Sequence, residues 1–336
     1  MFSYNKRPLI IAEISGNHDG NKKRFLKLIH AAFDNGADLV KIQSYEPEDI
    51  TLNIKNNKYK IRKGLWKNKY LWDLYKKACT PFSWHKEAFE IAKKNKKTLF
   101  SSPFSIRAVD LLESYDVRLY KIASFELTDH RLINYIASKK KPIIISTGMA
   151  DLKDIKNAIK IIEKFHKKIV ILHCVSNYPT KLEDAALVNI NYLKSNFGKY
   201  FIGLSDHTDN IYSSLAAVPL GVVAIEKHFN LDDKKTTDSD FSINPLQLRE
   251  LSQTVEKVYK SLNKKFKIRV DKENTNLRRS IFAKTNIKKG EKLNKNNIIT
   301  LRPVIGVTAD NYFKLLGKKA KKNIKKFDPI HYKFLK

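Results

Sequence analysis

The segment YFIGLSDHT (residues 200–208), followed about twenty residues later by VVAIEKHF (residues 222–229), decides the fold. In each segment a short apolar run ends in a polar cluster. Two such runs separated by a helix-sized segment are typical of neighbouring parallel strands joined by a crossover helix. Polar residues at the carboxyl ends of such strands lie where α/β proteins place their chemistry. We therefore expect His207 and His228 to meet across two adjacent strands as a pair of metal ligands.

Eight apolar runs, most of them followed by an amphipathic segment, divide residues 9–226. Besides the two quoted above, they are residues 8–14, 38–43, 98–102, 119–124, 142–147 and 169–174. This alternation predicts an α/β protein with a (β/α)₈ TIM barrel, including helices near residues 22–35 and 84–94. The alternative is a doubly wound open sheet. Such a sheet usually carries a glycine-rich phosphate fingerprint after its first strand, and SGNHDG (residues 15–20) does not match one.

The chain changes character after the barrel. We assign residues 1–262 to a catalytic barrel, whose last helix is expected at residues 244–262, and the polar residues 263–276 to a linker. Beyond the linker, short alternating runs surround a turn at KKGE (residues 288–291). Residues 277–336 are therefore expected to form a small, mostly β domain.

The net charge of +31 is large enough to suggest a nucleic-acid-binding protein. However, the lysines are scattered through every helical segment, and no nucleic-acid-binding motif accompanies them. We interpret the charge as a solvated surface that also attracts an anionic substrate, and we predict no nucleic-acid partner.

Cysteine usage and hydropathy indicate the compartment. The two cysteines, Cys79 and Cys174, lie in sequence that predicts burial, which argues against a disulfide framework and for a reducing environment. No apolar run is long enough for a secretion signal or a membrane span. We expect a cytoplasmic protein with no membrane association.

Polar residues follow each predicted strand and should converge at one mouth of the barrel. Lysines supply charge for a phosphate or carboxylate, and hydroxyls and backbone amides complete the shell of such an anion. Lys41 and Lys121 lie inside apolar strands and cannot easily extend to solvent, which favours a ligand role. Glu13 is a candidate general base or sugar contact. The whole set is Glu13, Lys41, Gln43, Ser101, Ser102, Lys121, Ser124, Glu126, Ser146, Thr147, Ser176, Asn177, Tyr178, Ser205, His207, Lys227 and His228.

A series of different short motifs extends along nearly the whole chain. They are IAEI (11–14), VKIQ (40–43), SPFS (102–105), YKIAS (120–124), ISTGM (145–149), LHC (172–174), YPT (178–180), GLSDHT (203–208) and EKHF (226–229). Together they resemble the sialic acid synthase family, whose members condense phosphoenolpyruvate with an amino-sugar aldehyde. The resemblance extends to a C-terminal antifreeze-like (SAF) domain from about residue 277.

A long insertion after the second strand indicates the branch of the family. The motifs GLW (64–66), LWDLY (71–75) and TPFSWH (80–85) resemble pseudaminic acid synthases. We expect Trp66, Trp72 and Trp84 to fold over the mouth where the sugar enters. The implied acceptor is the 2,4-diacetamido-2,4,6-trideoxyhexose 6-deoxy-AltdiNAc, and an N-acetylneuraminate or legionaminate synthase is the alternative.

The resemblance also implies roles for individual residues. His207 and His228 correspond to the ligands of a divalent metal, Mn²⁺ or Mg²⁺, and Glu13 to a carboxylate near it. The residues that correspond to the family's phosphoenolpyruvate-binding positions are Lys41, Ser102, Lys121, Ser124, Ser146, Ser176 and Ser205. The acceptor sugar is assigned to Gln43, Glu126, Tyr178 and Asp238, with Arg302 reaching into the barrel of a partner subunit, which implies a domain-swapped homodimer. The segment RPVIG (302–306) departs from the family's Arg-Pro-Gly-x-Gly, so we expect this loop to differ in shape.

The implied reaction is attack of the phosphoenolpyruvate methylene carbon on the aldehyde, which the metal polarises as a Lewis acid. A Schiff-base aldolase is the nearest enzymatic alternative, because lysines at barrel strand ends also form imines. Such an aldolase needs one desolvated lysine and no metal. A basic binding protein for nucleic acid or acidic glycan is the non-enzymatic alternative, with steeply salt-dependent affinity.

Overall fold

The computed structural model of the protein describes residues 1–262 and 272–336. The chain divides into two compact units, Met1–Lys264 and Lys265–Lys336. Of the predicted linker, residues 263–271 lie outside the described part, and Lys272–Leu277 forms a 3₁₀ helix.

Eight parallel strands close into a barrel in the first unit, as predicted. They are β1 (Leu9–Glu13), β2 (Leu39–Ser44), β3 (Thr98–Pro103), β4 (Tyr120–Ile122), β5 (Ile143–Ser146), β6 (Ile169–Cys174), β7 (Phe201–Asp206) and β8 (Ala224–His228). Nearly every residue in them is buried, as expected for a parallel sheet covered by helices on its outside. The predicted doubly wound alternative is therefore excluded.

Helices of the first unit surround this barrel, except that the second helix belongs to the insertion after β2 and lies at the mouth. They are α1 (Lys22–Asp34), α2 (Leu71–Ala78), α3 (Phe82–Lys94), α4 (Ile106–Ser114), α5 (His130–Ser138), α6 (Leu152–Glu163), α7 (Asn189–Phe197), α8 (Tyr212–Ala217) and α9 (Pro245–Leu262). In α1, Asn21 caps the amino end by accepting a hydrogen bond from Arg24 N. Apolar residues at helical spacing, such as Phe25, Leu28 and Ile29, bury one face against the strands.

Strand register brings the predicted polar residues to a common rim. Glu13 is the register partner of both Lys41 on β2 and His228 on β8, and Ser205 on β7 is the partner of Glu226. Because the strands are parallel, their carboxyl ends meet on one side of the barrel.

The second unit has its own small core. Strands β9 (Ser280–Ala283) and β10 (Ile298–Leu301) pair antiparallel, and a short helix, α10 (Tyr312–Leu315), follows. Isolated bridges supply the remaining pairing, so the domain contains less regular strand than its alternating sequence suggests. Its buried residues include Ile281, Leu315 and Ile330.

The structure tests the predicted burial of the cysteines and the prediction that no segment spans a membrane. Cys174 is buried, whereas Cys79 is only half-buried because it follows α2 in the insertion rather than lying in a strand; both are free. Within residues 1–262 and 272–336, no helix combines the length and the apolar character needed to cross a membrane.

Candidate active site

A cavity of about 490 Å³ opens at the carboxyl ends of the barrel strands. Its floor is polar and ionic and is built from strand residues. Its upper wall is mostly apolar and comes from the insertion after β2, from the start of the loop after β3 and from the loop after β8. This wall includes Leu65, Trp66, Tyr75, Phe104 and Phe241.

Two lysines and two glutamates form an ionic cluster at the base of the cavity, where Lys41, Lys121 and Glu226 line the floor and Glu13 contacts Lys41 without lining it. Lys41 Nζ lies 2.7 Å from Glu13 Oε2 and 3.3 Å from Glu226 Oε1. Lys121 Nζ lies 3.8 Å from the same oxygen of Glu226, which also accepts a hydrogen bond from Ser205 Oγ at 3.0 Å. All of these side chains are buried. Removing them from water is costly, so a cluster of this kind beside a cavity indicates a binding role.

The charges in this cluster are set by burial and by the neighbouring ions. Burial raises the pKa of Glu13 to about 6, although Lys41 opposes the shift. Burial also raises the pKa of Glu226, but Lys121 and Lys41 outweigh it and hold that pKa below its usual value. Glu226 therefore stays ionised, whereas Glu13 can take up a proton close to neutral pH.

Hydroxyl groups converge around Gly148, next to this cluster. A Cβ on Gly148 would lie 2.4 Å from the hydroxyl oxygens of both Ser124 and Ser176, and the residue has a φ of +28°. Ser146 Oγ is buried and has no protein partner. Only glycine leaves this space open, and its hydroxyl lining suits the oxygens of a phosphate or carboxylate.

His207 and His228 lie side by side above the cluster, with ring centroids 5.2 Å apart. Nδ1 of His207 lies 2.9 Å from the Val175 carbonyl oxygen, which can only accept, so this nitrogen carries a proton. Burial lowers the pKa of His207, but Cys174 and the Val175 carbonyl outweigh it and hold that pKa above its usual value. Nδ1 of His228 is buried without a partner. Burial, then His207 and Lys41, lower the pKa of His228 well below its usual value, so its ring is neutral.

These features fit a divalent cation. Imidazole nitrogens bind metals once they have lost their proton, and the Val175 carbonyl holds the proton of His207 on Nδ1, which leaves Nε2 as the nitrogen for a metal. Across residues 1–262 and 272–336, no group of three or more His, Cys, Asp or Glu side chains could hold a metal ion. A cation here would therefore depend on water or substrate for its other ligands.

The residues predicted for the sugar lie above the floor. Gln43 Nε2 donates to Ser15 Oγ at 3.0 Å and to Glu13 Oε1 at 3.4 Å. Tyr178 packs its ring against His207 at 4.5 Å between centroids. Asp238 accepts a hydrogen bond from Gly16 N at 3.0 Å.

Glu126 also lines the cavity. Its Oε2 atom is buried without a hydrogen-bond partner. Burial raises its pKa to about 7, although Lys121 opposes the shift. A carboxylate with an unpaired buried oxygen is well suited to a substrate hydroxyl or amide.

The tryptophans of the insertion do not act together, so the prediction that all three cover the mouth is wrong. Trp66 lines the cavity, and its Nε1 donates to Thr237 O at 3.1 Å. Trp84 lies on α3 and packs against His18 and Phe25, with centroids 5.4 and 5.6 Å away. Trp72 belongs to α2 and is not among the cavity-lining residues.

Side-chain alternation along strands removes other predicted residues from the mouth. Lys227 points away from the cavity toward Asp206. Ser101 likewise points away and bonds to Ser44 Oγ at 2.6 Å. Ser102 does not line the cavity either, but its Oγ lies 3.5 Å from Lys41 Nζ, so it reaches the site through that lysine.

Arg302 belongs to the second unit, where it is exposed just after β10.

Comparison with known proteins places the chain in a family. The sequence matches the NeuB family over residues 28–267 and the SAF domain over residues 278–336. The chain belongs to the NeuB family. Its predicted resemblance to sialic acid synthases and the predicted barrel with a SAF domain are thereby confirmed.

Individual NeuB-family relatives match over nearly their full length. Pseudaminic acid synthase of Helicobacter pylori is 40% identical over 329 residues, which cover 96% of each chain. N,N'-diacetyllegionaminic acid synthase of Campylobacter jejuni is 37% identical and covers 97% of this chain and 99% of its own. The crystal structure of N-acetylneuraminic acid synthetase from Leptospira borgpetersenii has a TM-score of 0.71 at 30% identity, covering 80% of this chain and 90% of that one.

One residue of this NeuB-family site escaped the sequence analysis. Glu226 contacts both Lys41 and Lys121, yet only its neighbours Lys227 and His228 were selected. The signal was available, because side chains along a strand alternate and Glu226 must face the same way as His228.

Proposed function

We propose that this NeuB-family chain is a pseudaminic acid synthase. It condenses phosphoenolpyruvate with the aldehyde form of 6-deoxy-AltdiNAc and water, giving pseudaminic acid and phosphate. The observation that carries the proposal is the position of the Lys41–Lys121–Glu226 cluster, in the same cavity as the paired rings of His207 and His228 and below an apolar wall.

Lys41 and Lys121 supply the positive charge for phosphoenolpyruvate. Both ammonium groups are buried and contact the floor of the cavity, so a bound anion interacts with them in a largely water-free environment. The hydroxyls of Ser124, Ser146 and Ser176 complete a shell for its oxygens around Gly148. Holding two small reactants in this way supplies much of the rate enhancement through positioning.

The bond changes follow from the two substrates. The methylene carbon of phosphoenolpyruvate forms a bond to the aldehyde carbon, and the aldehyde oxygen takes up a proton. Water adds to the cationic enolpyruvyl carbon, and the resulting tetrahedral intermediate loses phosphate by cleavage of its C–O bond. A divalent cation, Mn²⁺ or Mg²⁺, held by His207 and His228 would act as a Lewis acid on the aldehyde oxygen.

Glu13 is our candidate for proton handling. Its pKa of about 6 allows it to exchange a proton at physiological pH, and its Oε2 atom lies 2.7 Å from Lys41 Nζ. Glu226 stays ionised and keeps both lysines oriented. Gln43 fixes the orientation of the Glu13 carboxyl through Oε1.

The acceptor is proposed from the apolar wall and from similarity. Compared with N-acetylmannosamine, 6-deoxy-AltdiNAc carries an acetamido group in place of the C4 hydroxyl and a methyl group in place of the C6 hydroxymethyl group. Trp66, Tyr178 and Phe241 present aromatic surface that could bury these groups. The 37% identity to a legionaminic acid synthase keeps the diacetamido isomer of that branch as the second candidate.

The same proposal extends to assembly and location. We propose that Arg302 contacts the acceptor in a partner subunit of a domain-swapped homodimer. Because phosphoenolpyruvate is a cytoplasmic metabolite, we also propose that the enzyme works there. Light scattering of the purified chain tests the dimer, with a monomeric mass as the contradicting result.

Isotope labelling tests the proposed chemistry. Phosphoenolpyruvate carrying ¹⁸O in its bridging C–O oxygen is incubated with enzyme, Mn²⁺ and 6-deoxy-AltdiNAc. We expect one phosphate per sugar consumed, with the label retained in phosphate. Unlabelled phosphate would contradict C–O cleavage, and inactivation by borohydride in the presence of pyruvate would support a Schiff-base aldolase instead.

A further inference from the structure

A buried ion pair joins β7 and β8 on the side of the barrel wall that faces away from the cavity. Asp206 and Lys227 are register partners, and their side chains are 2% and 0% exposed. Lys227 Nζ lies 3.2 Å from Asp206 Oδ2. Neither residue lines the catalytic cavity, whereas their neighbours Ser205 and Glu226 do. The pair therefore does not touch substrate in this cavity.

This pair fixes the backbone of Thr208. Asp206 Oδ1 accepts hydrogen bonds from Thr208 N at 2.9 Å and from Thr208 Oγ1 at 2.8 Å. Lys227 Nζ donates to the Thr208 carbonyl oxygen and, at 3.2 Å, to Thr208 Oγ1. Ser214 on α8 donates to Asp206 Oδ2 at 2.6 Å. Both backbone polar groups of Thr208 are thus held by one buried network.

Each member of the pair directly precedes one of the two histidines. His207 lies between Asp206 and Thr208, which are both anchored, and Lys227 precedes His228. The hydrogen bonds of the rings themselves are few: His207 is held through Nδ1, and Nδ1 of His228 has no partner. The separation of the two rings therefore depends strongly on the backbone at these strand ends.

Burying an ion pair is expensive, and apolar residues of similar volume often give equal or greater stability. A pair placed directly behind two histidines is better explained by the geometry that it enforces. We propose that Asp206 and Lys227 are positioning residues that set the spacing of His207 and His228 for a divalent cation. This inference rests on the proposed function, because it takes the histidine pair as the cation site.

The test removes both charges together, which avoids leaving one buried charge unpaired. The variant D206N/K227M retains similar volume at both positions. We expect its Mn²⁺ dissociation constant, measured by electron paramagnetic resonance of free Mn²⁺, to rise at least tenfold. Binding of phosphoenolpyruvate without metal, measured by calorimetry, should stay within twofold of wild type because Lys41 and Lys121 lie on other strands.

A control removes a partly exposed ion pair at the opposite end of the barrel. Arg7 makes two 2.8 Å hydrogen bonds to Asp38, which precedes β2 and also accepts from Ile10 N. The variant R7M/D38N should lose thermal stability and keep the wild-type Mn²⁺ affinity. A milder test uses Thr208→Val, which removes only the shared hydroxyl. This variant should weaken Mn²⁺ binding severalfold, and Thr208→Ser should restore it.

The outcomes separate the inference from the function on which it rests. Wild-type Mn²⁺ affinity in D206N/K227M, or in Thr208→Val if the double variant does not fold, overturns the positioning role alone. Equal losses of Mn²⁺ and phosphoenolpyruvate affinity also overturn it, because they indicate general damage to the barrel. Absence of divalent-cation binding by the wild-type enzyme overturns both the inference and the proposed cation site.

Discussion

Lys41 and Glu13 form a buried ion pair of 2.7 Å on adjacent strands, and a second carboxylate, Glu226, lies 3.3 Å from the same ammonium group. The two glutamates hold the lysine at the cavity floor. Glu13 and Glu226 raise the pKa of Lys41 more than burial lowers it, so this lysine stays charged. The cluster therefore presents a charged and fixed ammonium group to a bound anion.

Replacing Lys41 or Lys121 with Met should weaken binding of phosphoenolpyruvate. The substitution keeps most of the aliphatic stem and removes a charged hydrogen-bond donor worth about 1.5–3 kcal/mol. This corresponds to a roughly ten- to hundredfold higher dissociation constant, measured by calorimetry. The exposed Lys199→Met serves as the control. Unchanged affinity in both cavity variants would return these lysines to a structural role.

Replacing His207 or His228 with Ala should abolish turnover and leave the barrel folded. Both rings line the cavity, and few hydrogen bonds within the protein depend on them. Bound Mn²⁺, measured by atomic absorption after desalting, should fall together with activity. The exposed His30→Ala should match wild type. Full activity in a metal-depleted histidine variant would exclude the cation from the reaction.

The pH dependence of acceptor binding should report Glu126. Its pKa of about 7 means that the carboxylate becomes ionised, and able to accept from a sugar hydroxyl, as pH rises through 7. We expect the acceptor KM to fall severalfold between pH 6 and pH 8. In Glu126→Gln this dependence should disappear, and its persistence there would assign the titration to another group.

Glu126 should also affect the stability of the fold. Acceptor binding improves as pH rises, whereas the contribution of Glu126 to stability falls. Its folded-state pKa is raised above the ordinary value, so the folded protein binds this proton more tightly than the unfolded chain. Its favourable contribution is complete at low pH and is lost as pH rises through about 7. The Tm of Glu126→Gln minus the Tm of wild type should therefore be larger at pH 8 than at pH 5. A Tm difference independent of pH would contradict the buried, protonatable state.

The sequence predicted the barrel because strand periodicity and crossover spacing are local properties. Eight buried strands in parallel register follow directly from eight apolar runs. The polar residues on their inward faces, such as Lys41 and Lys121, were found for the same reason. Glu226 was missed because candidates on β8 were chosen by residue type, which favours Lys227 and His228. The alternation of side chains along the strand, which places Glu226 on the same face as His228, was not applied.

The contacts of the insertion could not be predicted in this way. Trp66 and Trp84 were both expected at the mouth, but Trp84 falls on the buried face of α3 and packs against Phe25 of α1. Trp66 lies in a loop whose position depends on the distant Thr237. Such a choice depends on tertiary packing, which no local pattern contains.

This difference between the two tryptophans gives a specificity test. Trp66→Ala should lower kcat/KM for 6-deoxy-AltdiNAc at least tenfold and lower that for N-acetylmannosamine less, because the apolar surface that it buries contributes about 25 cal/mol per Å². Trp84→Phe should lower Tm and leave the ratio of the two sugars unchanged. Equal effects of Trp66→Ala on both sugars would remove it from the acceptor subsite.

The central claim is that the enzyme joins phosphoenolpyruvate to a diacetamido-trideoxyhexose. Initial rates of phosphate release are therefore measured with Mn²⁺, phosphoenolpyruvate and, in parallel, 6-deoxy-AltdiNAc, its legionaminic-branch isomer and N-acetylmannosamine. We expect the highest kcat/KM for 6-deoxy-AltdiNAc, by at least tenfold, and pseudaminic acid as the product identified by NMR. A higher kcat/KM for either other sugar would contradict the assignment, and no phosphate release with any of them would contradict the reaction itself.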